Sequence, residues 1–317
     1  MVAFYTNVGV LAFLGGILAV SLNLLIGDSG VFSAAQGVFY GVGAYATALL
    51  ALHLTGSILV AVPVSSVAAG AIGLVFAIPA VRIRGDYFVV ASIGFSVIMI
   101  TVFSQWQAVT GADSGISGYP TGSLVAGQVP FTSAASNLVL AAVLLVLCVA
   151  VQAYITRRAP IGRMIRASRD DQTAAESVGI SPVAVRVIAV VVSAMLAGVA
   201  GSGYAVFVQY VDPTSFGSSE SILLVAMVVL GGSGSIAGPV VGALVIGFGV
   251  PSLSLLPVPT ALIGPLEQVA VGLVLVLAMI WRPDGLVNLR LPGRRTGTGD
   301  AADSGVAGSP SEKVSIL

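Results

Sequence analysis

A chain of 317 residues that is 57% hydrophobic and only 8% charged, with a mean hydropathy of +1.05, is not a water-soluble domain, where about 25% of residues are charged; it is an integral membrane protein. Its 13 Lys+Arg balance 13 Asp+Glu, which leaves no global electrostatic footprint for nucleic acid. A single cysteine, Cys148 in an apolar run, excludes an intrachain disulfide or a cysteine-based metal cluster and reads as a small packing residue.

In chain order, residues 8–26 form a first apolar stretch, long enough for the roughly 20 residues a bilayer crossing needs. Residues 1–7 carry no basic group, so this stretch reads as a span and not as a removed signal peptide. After the GDSG turn at 27–30, residues 31–52 make a second span, with Gly37 and Gly41 in GxxxG spacing and Gly43 beyond, a pattern that lets helices approach closely. Residues 57–81 form a third span that stops at Arg82 and Arg84, and 87–104 a fourth. A Gly/Ser-rich connection without Lys or Arg covers 105–136. The fifth span, 137–156, runs into a charged island, and the sixth, 187–211, begins past Arg186. Residues 221–231 and 236–250, joined by GGSGS, are short for ordinary spans and fit either two tilted crossings or a re-entrant pair; Gly238 and Gly242 favour burial against a neighbour. A last span at 266–281 precedes a Gly/Ser/Asp/Ala-rich tail, 291–317, whose composition predicts disorder. The predicted architecture is an all-α polytopic bundle of about eight or nine segments over residues 1–290.

All 13 basic residues fall into three clusters: Arg82 with Arg84, Arg157 to Arg186, and Arg282 to Lys313. Lys and Arg stay on the cytoplasmic side, so the expected arrangement has an outward N-terminus, an outside loop at 105–136 and a cytoplasmic C-terminus. The loop at 157–186 is then cytoplasmic.

Within that loop, IGRMIRASRDDQTAAESVGI (161–180) is densely charged in a chain otherwise nearly devoid of charge. On a helical wheel Met164, Ala167, Ala174 and Val178 share one stripe, opposite Arg163, Arg166, Arg169, Asp170, Thr173 and Ser177. Ser168 followed by Asp171 resembles a capping box, and Gly179 is placed to stop the helix; two short helices joined near Ser168 fit as well as one. Such an element is either a solvated basic loop or a docking element gripped by another protein.

The sole histidine, His53, sits at the end of the second span without an HExxH partner and reads as an interface residue. Glu220 and Glu267 lie near the ends of apolar segments on the outside, with no carboxylate deep in a span. Acid–base catalysis and ion-coupled carriage are therefore unsupported, and without a GxxxxGK[ST] loop the chain does not hydrolyse ATP itself. Inside the membrane remain Asn23, Gln36, Tyr45, Ser92, Ser96, Ser193 and Ser202. They either hold helices together by hydrogen bonds or line a hydrated path for a small polar solute.

Several blocks carry a resemblance: SLNLLIGDSGVFSAAQGVFYGVGAY (21–45), VRIRGDYFVVASIGF (81–95), TGADSGISGYP (110–120), APIGRMIRASRDDQTAAESVGI (159–180), VDPTSFGSSESILLVAMVVLGGSGSIAGPVVGA (211–243) and WRPDGL (281–286). Together they resemble the membrane permease subunit of branched-chain amino acid ABC importers, in the LivM-like branch, collinearly over about nine tenths of the chain. The pattern departs at Gln36, where many relatives carry His, and at Asp170 and Asp171, which replace a Glu-Asn-like pair. The resemblance implies a type II ABC importer permease-like fold in a bacterial plasma membrane. It also implies no catalytic activity or cofactor, and a LivH-like second permease subunit. Two LivG/LivF-like ATPase subunits would supply energy, and an extracytoplasmic solute-binding protein would deliver a small polar solute. The island becomes the ATPase-coupling segment, with Arg163, Arg166, Arg169, Asp170 and Asp171 near the contact and Gly179 ending its helix. Permeases for urea, amides or sugars share the coupling logic, and a stand-alone channel or facilitator is the reading from another class.

Overall fold

The computed structural model describes residues 2–54, 56–80, 87–120, 134–252 and 260–281. The Arg82–Arg84 cluster and the tail at 291–317 lie outside the described residues, as does 121–133 of the expected outside loop.

Helix α9 (Pro182–Val208) is the one around which others are laid. Its start is set by Ser181, whose hydroxyl accepts from the Ala184 amide, and by Pro182 in the first turn, where no amide is needed. It thus begins five residues earlier than the apolar stretch suggests, carrying Arg186 within its first turns. Its inner face is made of small buried residues, among them Ala189, Ser193, Ala194, Ala197, Gly198 and Gly201. In lipid, helices are held by close van der Waals packing, which small side chains permit. Helices α2 (Gln36–His53) and α3 (Ile58–Ala80) both pack on this face. At the α2 crossing, a methyl group on Gly43 would lie 2.6 Å from the Gly198 Cα, so only glycine fits. The GxxxG pair faces elsewhere: Gly37 abuts the Phe216 carbonyl and the Ser221 hydroxyl, and Gly41 the rings of Phe216 and Phe103. Those glycines admit a short 3-10 segment, Pro213–Phe216, together with side chains of the helices on either side of it.

Helix α1 (Val2–Asn23) is enclosed by α6 (Ala134–Arg157), α9, α10 (Ser218–Gly231) and α11 (Ala237–Ser252), with Leu14, Ile17, Leu18 and Leu22 fully buried. It continues past residue 26 as a π-type turn, Leu24–Asp28, and ends where Gly30 takes a φ of +67°. Helices α10 and α11 form a hairpin so tight that a methyl group on Gly242 would collide with the Met227 carbonyl and lie 2.9 Å from the Gly231 amide nitrogen. At 14 and 16 residues they are about 21 and 24 Å long, short of the roughly 30 Å hydrocarbon core. Helix α12 (Thr260–Trp281) packs beside both, starting six residues before the expected span.

Six helical stretches among the described residues are long and apolar enough to cross a bilayer: Phe4–Asp28, Ile58–Ala80, Tyr87–Gln105, Ala134–Arg157, Pro182–Val208 and Pro213–Gly231, the last only when the 3-10 turn before α10 is counted with it. The outer helices α3, α4 (Tyr87–Gln105) and α6 turn Val67, Val75, Val90, Ile98, Val139 and Val146 outward, each more than half exposed. An apolar exterior of that kind is stable in lipid and not in water. At one end, beyond the short α5 (Gln107–Thr110), β1 (Ile116–Ser117) pairs antiparallel with β2 (Tyr210–Val211), and the Tyr119 hydroxyl donates to the Ala205 carbonyl at 2.7 Å. At the other end lie α7 (Pro160–Asp170) and α8 (Gln172–Ser177).

Candidate functional site: a charged segment and a carboxylate-walled cavity

The charged island folds as two helices, and the joint falls at Asp171 rather than at Ser168. Asp171 leaves helical geometry with φ −153° and ψ 111°, and its Oδ1 accepts from the amides of Thr173 at 2.8 Å and Ala174 at 3.0 Å. That is an N-cap, and it defines the start of α8. Ser168 is buried in the last turn of α7 and caps nothing. Because the backbone breaks at 171, a single helical wheel does not apply across both helices. The buried positions are Gly162, Ile165 and Ser168 on α7 and Ala175 on α8, one residue out of step with the expected stripe, and Val178 is 76% exposed. Gly179 does end α8: it has φ +81°, its amide donates to Glu176 O at 3.0 Å, and the Ile180 amide reaches Ala175 O at 3.0 Å.

The five charged residues assigned to this segment divide into two groups. Arg163, Arg169, Asp170 and Asp171 are exposed, and Arg166 is not. Arg169 turns toward the bundle: its Nη1 donates to the Gly27 carbonyl, and its aliphatic stem packs over Gly30. Arg166 is half-buried and, with Arg169, bears on the Asp28 carboxylate, which also accepts from the Thr156 hydroxyl at 3.4 Å. A π-type turn leaves carbonyls out of the regular ladder, and Gly27 O is one that a guanidinium reaches.

Four of the five expected path residues spend their polar atoms inside the protein. Gln36, fully buried, donates to Ser21 Oγ and, at 3.2 Å, to Ser193 Oγ, while Ser193 donates to Ser21 O at 2.7 Å; α1, α2 and α9 are thereby tied together. Asn23 donates to Ser235 O at 3.1 Å and accepts from the Gly234 amide at 3.3 Å, which fastens α1 to the α10–α11 turn. Ser92 accepts from the Ala34 amide at 2.9 Å and Ser96 donates to Ala34 O at 3.1 Å, anchoring the loop before α2 onto α4. Tyr45 differs: its hydroxyl is buried without a hydrogen-bond partner among the described residues, and its ring packs 4.9 Å from Phe103 and 6.0 Å from Phe216.

The open space lies elsewhere. A partly open cavity of about 370 Å³ is bordered by α1, α2, α9, α10, α11 and α12, with Leu18, Tyr40, Glu220, Met227, Ile246 and Glu267 among its walls. A wider recess of about 680 Å³ shares Glu220, Leu223, Val250 and Glu267 with it. In the sequence these two carboxylates are 47 positions apart, Glu220 in the first turn of α10 and Glu267 about two turns into α12; no local spacing signals that they meet. Beside the cavity Asp212 accepts from Ser215 at 2.5 Å and from Thr214. Partial burial works against its charge, but those hydroxyl and backbone donors outweigh it and hold the carboxyl below its ordinary range.

Comparison with known proteins agrees with this architecture. The family described as the branched-chain amino acid transport system permease component matches residues 4–279. The high-affinity branched-chain amino acid transport system permease protein LivM of Escherichia coli (strain K12) is 31% identical, over 87% of this chain and 68% of that protein. Its counterpart in Salmonella typhimurium is also 31% identical, over 90% of this chain and 70% of its own length. The ribose import permease protein RbsC of Haemophilus influenzae is 32% identical over 41% of each chain. No solved structure matches. The chain, a multi-pass helical membrane protein, belongs to the family of branched-chain amino acid transport system permease components.

Proposed function

We propose that this chain is a non-catalytic permease subunit of an ATP-driven importer of branched-chain amino acids in a bacterial plasma membrane, with its N-terminus outside and its C-terminus in the cytoplasm. It pairs with a LivH-like permease subunit, takes solute from an extracytoplasmic binding protein, and is driven by two separate LivG/LivF-like ATPases. The amino-acid solute is favoured over a sugar because similarity to the LivM proteins runs over 87–90% of the chain, against 41% for the ribose permease. The charged segment α7–α8 is the coupling element, and residues 1–290 are one transmembrane unit.

The observation that supports coupling is a continuous series of contacts. Arg169 of α7 reaches Gly27; Gly27 packs between the Asn23 side chain and the Gly234 amide; Asn23 holds both Gly234 and Ser235 in the α10–α11 turn. Helices α10 and α11 in turn form walls of the cavity. Movement of α7 against an ATPase thus displaces the two helices that bound the solute space, which is what alternating access requires.

The test uses the exposed charges, leaving the Arg169–Gly27 contact alone. With Arg163→Glu and Asp170→Arg together, ATPase stimulation by the loaded binding protein falls about tenfold or more, because like charges are brought together across the interface, while membrane insertion is unchanged. Normal uptake in that variant would refute α7–α8 as the coupler. Liposomes holding the permease pair without ATPases should show no solute flux; flux there would mark a channel.

A further inference from the structure

The cavity between α1 and the α10–α12 helices has a chemistry that the family assignment does not supply. Its volume, about 370 Å³, falls in the usual range for small-molecule sites, roughly 300–1,000 Å³. Most of its wall is apolar, with Leu11, Leu18, Leu223, Met227, Ile246 and Val250. Among the described lining residues of both cavity and recess there is no Lys, Arg or His, while Glu220 and Glu267 line both.

Two further groups lack partners. The Glu220 side chain makes no hydrogen bond or ion pair with any described residue; only its backbone amide is engaged, with Gly217 O at 3.2 Å. Tyr40 is 5% exposed, and its hydroxyl likewise has no partner among the described residues, although its ring is fixed against Phe216 at 5.2 Å and Tyr204 at 5.3 Å. The neighbouring Tyr204 hydroxyl, by contrast, is bonded to Ser215 at 3.3 Å. Withdrawing a carboxylate from water without pairing it costs several kcal/mol, and a cation restores the balance.

The geometry points to an ammonium-binding subsite in this cavity, with the Glu220 carboxylate as counter-charge, the Tyr40 hydroxyl as a neutral acceptor, and the apolar wall holding a short aliphatic body. A primary ammonium has three N–H donors and no acceptor, which suits two carboxylates and a hydroxyl. The ligand class is a protonated primary amine on a short alkyl chain. This subsite rests on the importer reading only for the identity of the natural solute, since the cation preference follows from the walls themselves.

The experiment measures thermal stabilisation of the purified full chain, reconstituted in lipid nanodiscs, by 3-methylbutylammonium chloride, with 3-methylbutan-1-ol as the uncharged isostere. The ammonium raises Tm in a saturable way, as binding to the folded state requires, and the alcohol does so at least about tenfold more weakly, because it leaves the buried Glu220 carboxylate without a counter-charge. Glu220→Gln abolishes the ammonium shift and Glu220→Asp keeps part of it. Should Glu220→Gln not fold, Tyr40→Phe serves in its place and weakens the shift. Stabilisation equal for amine and alcohol, or undiminished in Glu220→Gln, overturns the assignment. An ammonium shift that depends on Glu220, alongside a reconstituted transporter that takes up no leucine, isoleucine or valine, upholds the subsite and removes only the branched-chain solute.

Discussion

The Arg169 guanidinium donates to the carbonyl oxygen of Gly27, joining the charged segment to the π-type turn that closes α1. The bond crosses 142 positions of sequence, and through Gly27 and Asn23 it links the charged segment to the α10–α11 turn.

Cutting that bond should cost more in coupling than in stability. Arg169→Ala removes a partly exposed, charge-assisted hydrogen bond and the stem packed over Gly30, a loss of about 1 kcal/mol. In the reconstituted transporter, ATP hydrolysis should continue while uptake per ATP falls; the ratio of the two rates is the measurement. An unchanged ratio would show that the linkage carries no work.

The α2–α9 crossing offers a test of packing with its own control. Gly43→Ala forces a methyl into the Gly198 backbone and should destabilise by about 1–3 kcal/mol. Gly94→Ala, on the exposed face of α4 where an added Cβ meets nothing within 4 Å, should be neutral or slightly stabilising. Melting temperatures of the two variants in one detergent settle the comparison.

Gln36 and Ser193 share one buried network with Ser21, so their truncations should not add. Each change to Ala leaves the other group short of a partner and costs about 1–3 kcal/mol; the double variant should fall short of the sum by about 1 kcal/mol. A double-mutant cycle on unfolding free energy reads the difference. Strict additivity would mean that the two side chains act separately.

Asp212 gives the β1–β2 end of the protein an acid-sensitive contribution. Burial opposes its charge, but donors from Ser215 and Thr214 prevail and its folded pKa is lowered. A carboxylate with a depressed folded pKa stabilises fully above its unfolded value, and that contribution disappears as pH falls through the folded one. Thr214→Ala with Ser215→Ala should therefore leave the acid limb of the stability curve flatter, and reduce stability at neutral pH relative to the parent. Equal pH dependence in parent and variant would exclude the effect.

Hydropathy and charge were enough to place the apolar stretches, because a bilayer imposes a length and penalises charge at each residue independently. The charged island was equally plain, and Gly179 was recognisable as a stop because a left-handed residue after a helix is a local requirement. Local pattern failed at the joint within the island. Ser168 and Asp171 are both good caps in isolation, and burial of Ser168 against the bundle left the role to Asp171.

The sequence by itself determined that this chain lives in a membrane and that its charge is concentrated in a few segments, one of them the island at 161–180, since both follow from counting residues along a line. Only the tertiary structure decided which of its polar groups are spent on holding helices together and which are left to meet something else. Asn23, Gln36, Ser92 and Ser96 found partners from distant elements, whereas Glu220, Glu267 and Tyr40 were gathered around open space. The physical reason is that satisfaction of a buried polar atom depends on what lies within about 3 Å of it in space, and helix packing sets that neighbourhood at sequence separations that no local pattern records.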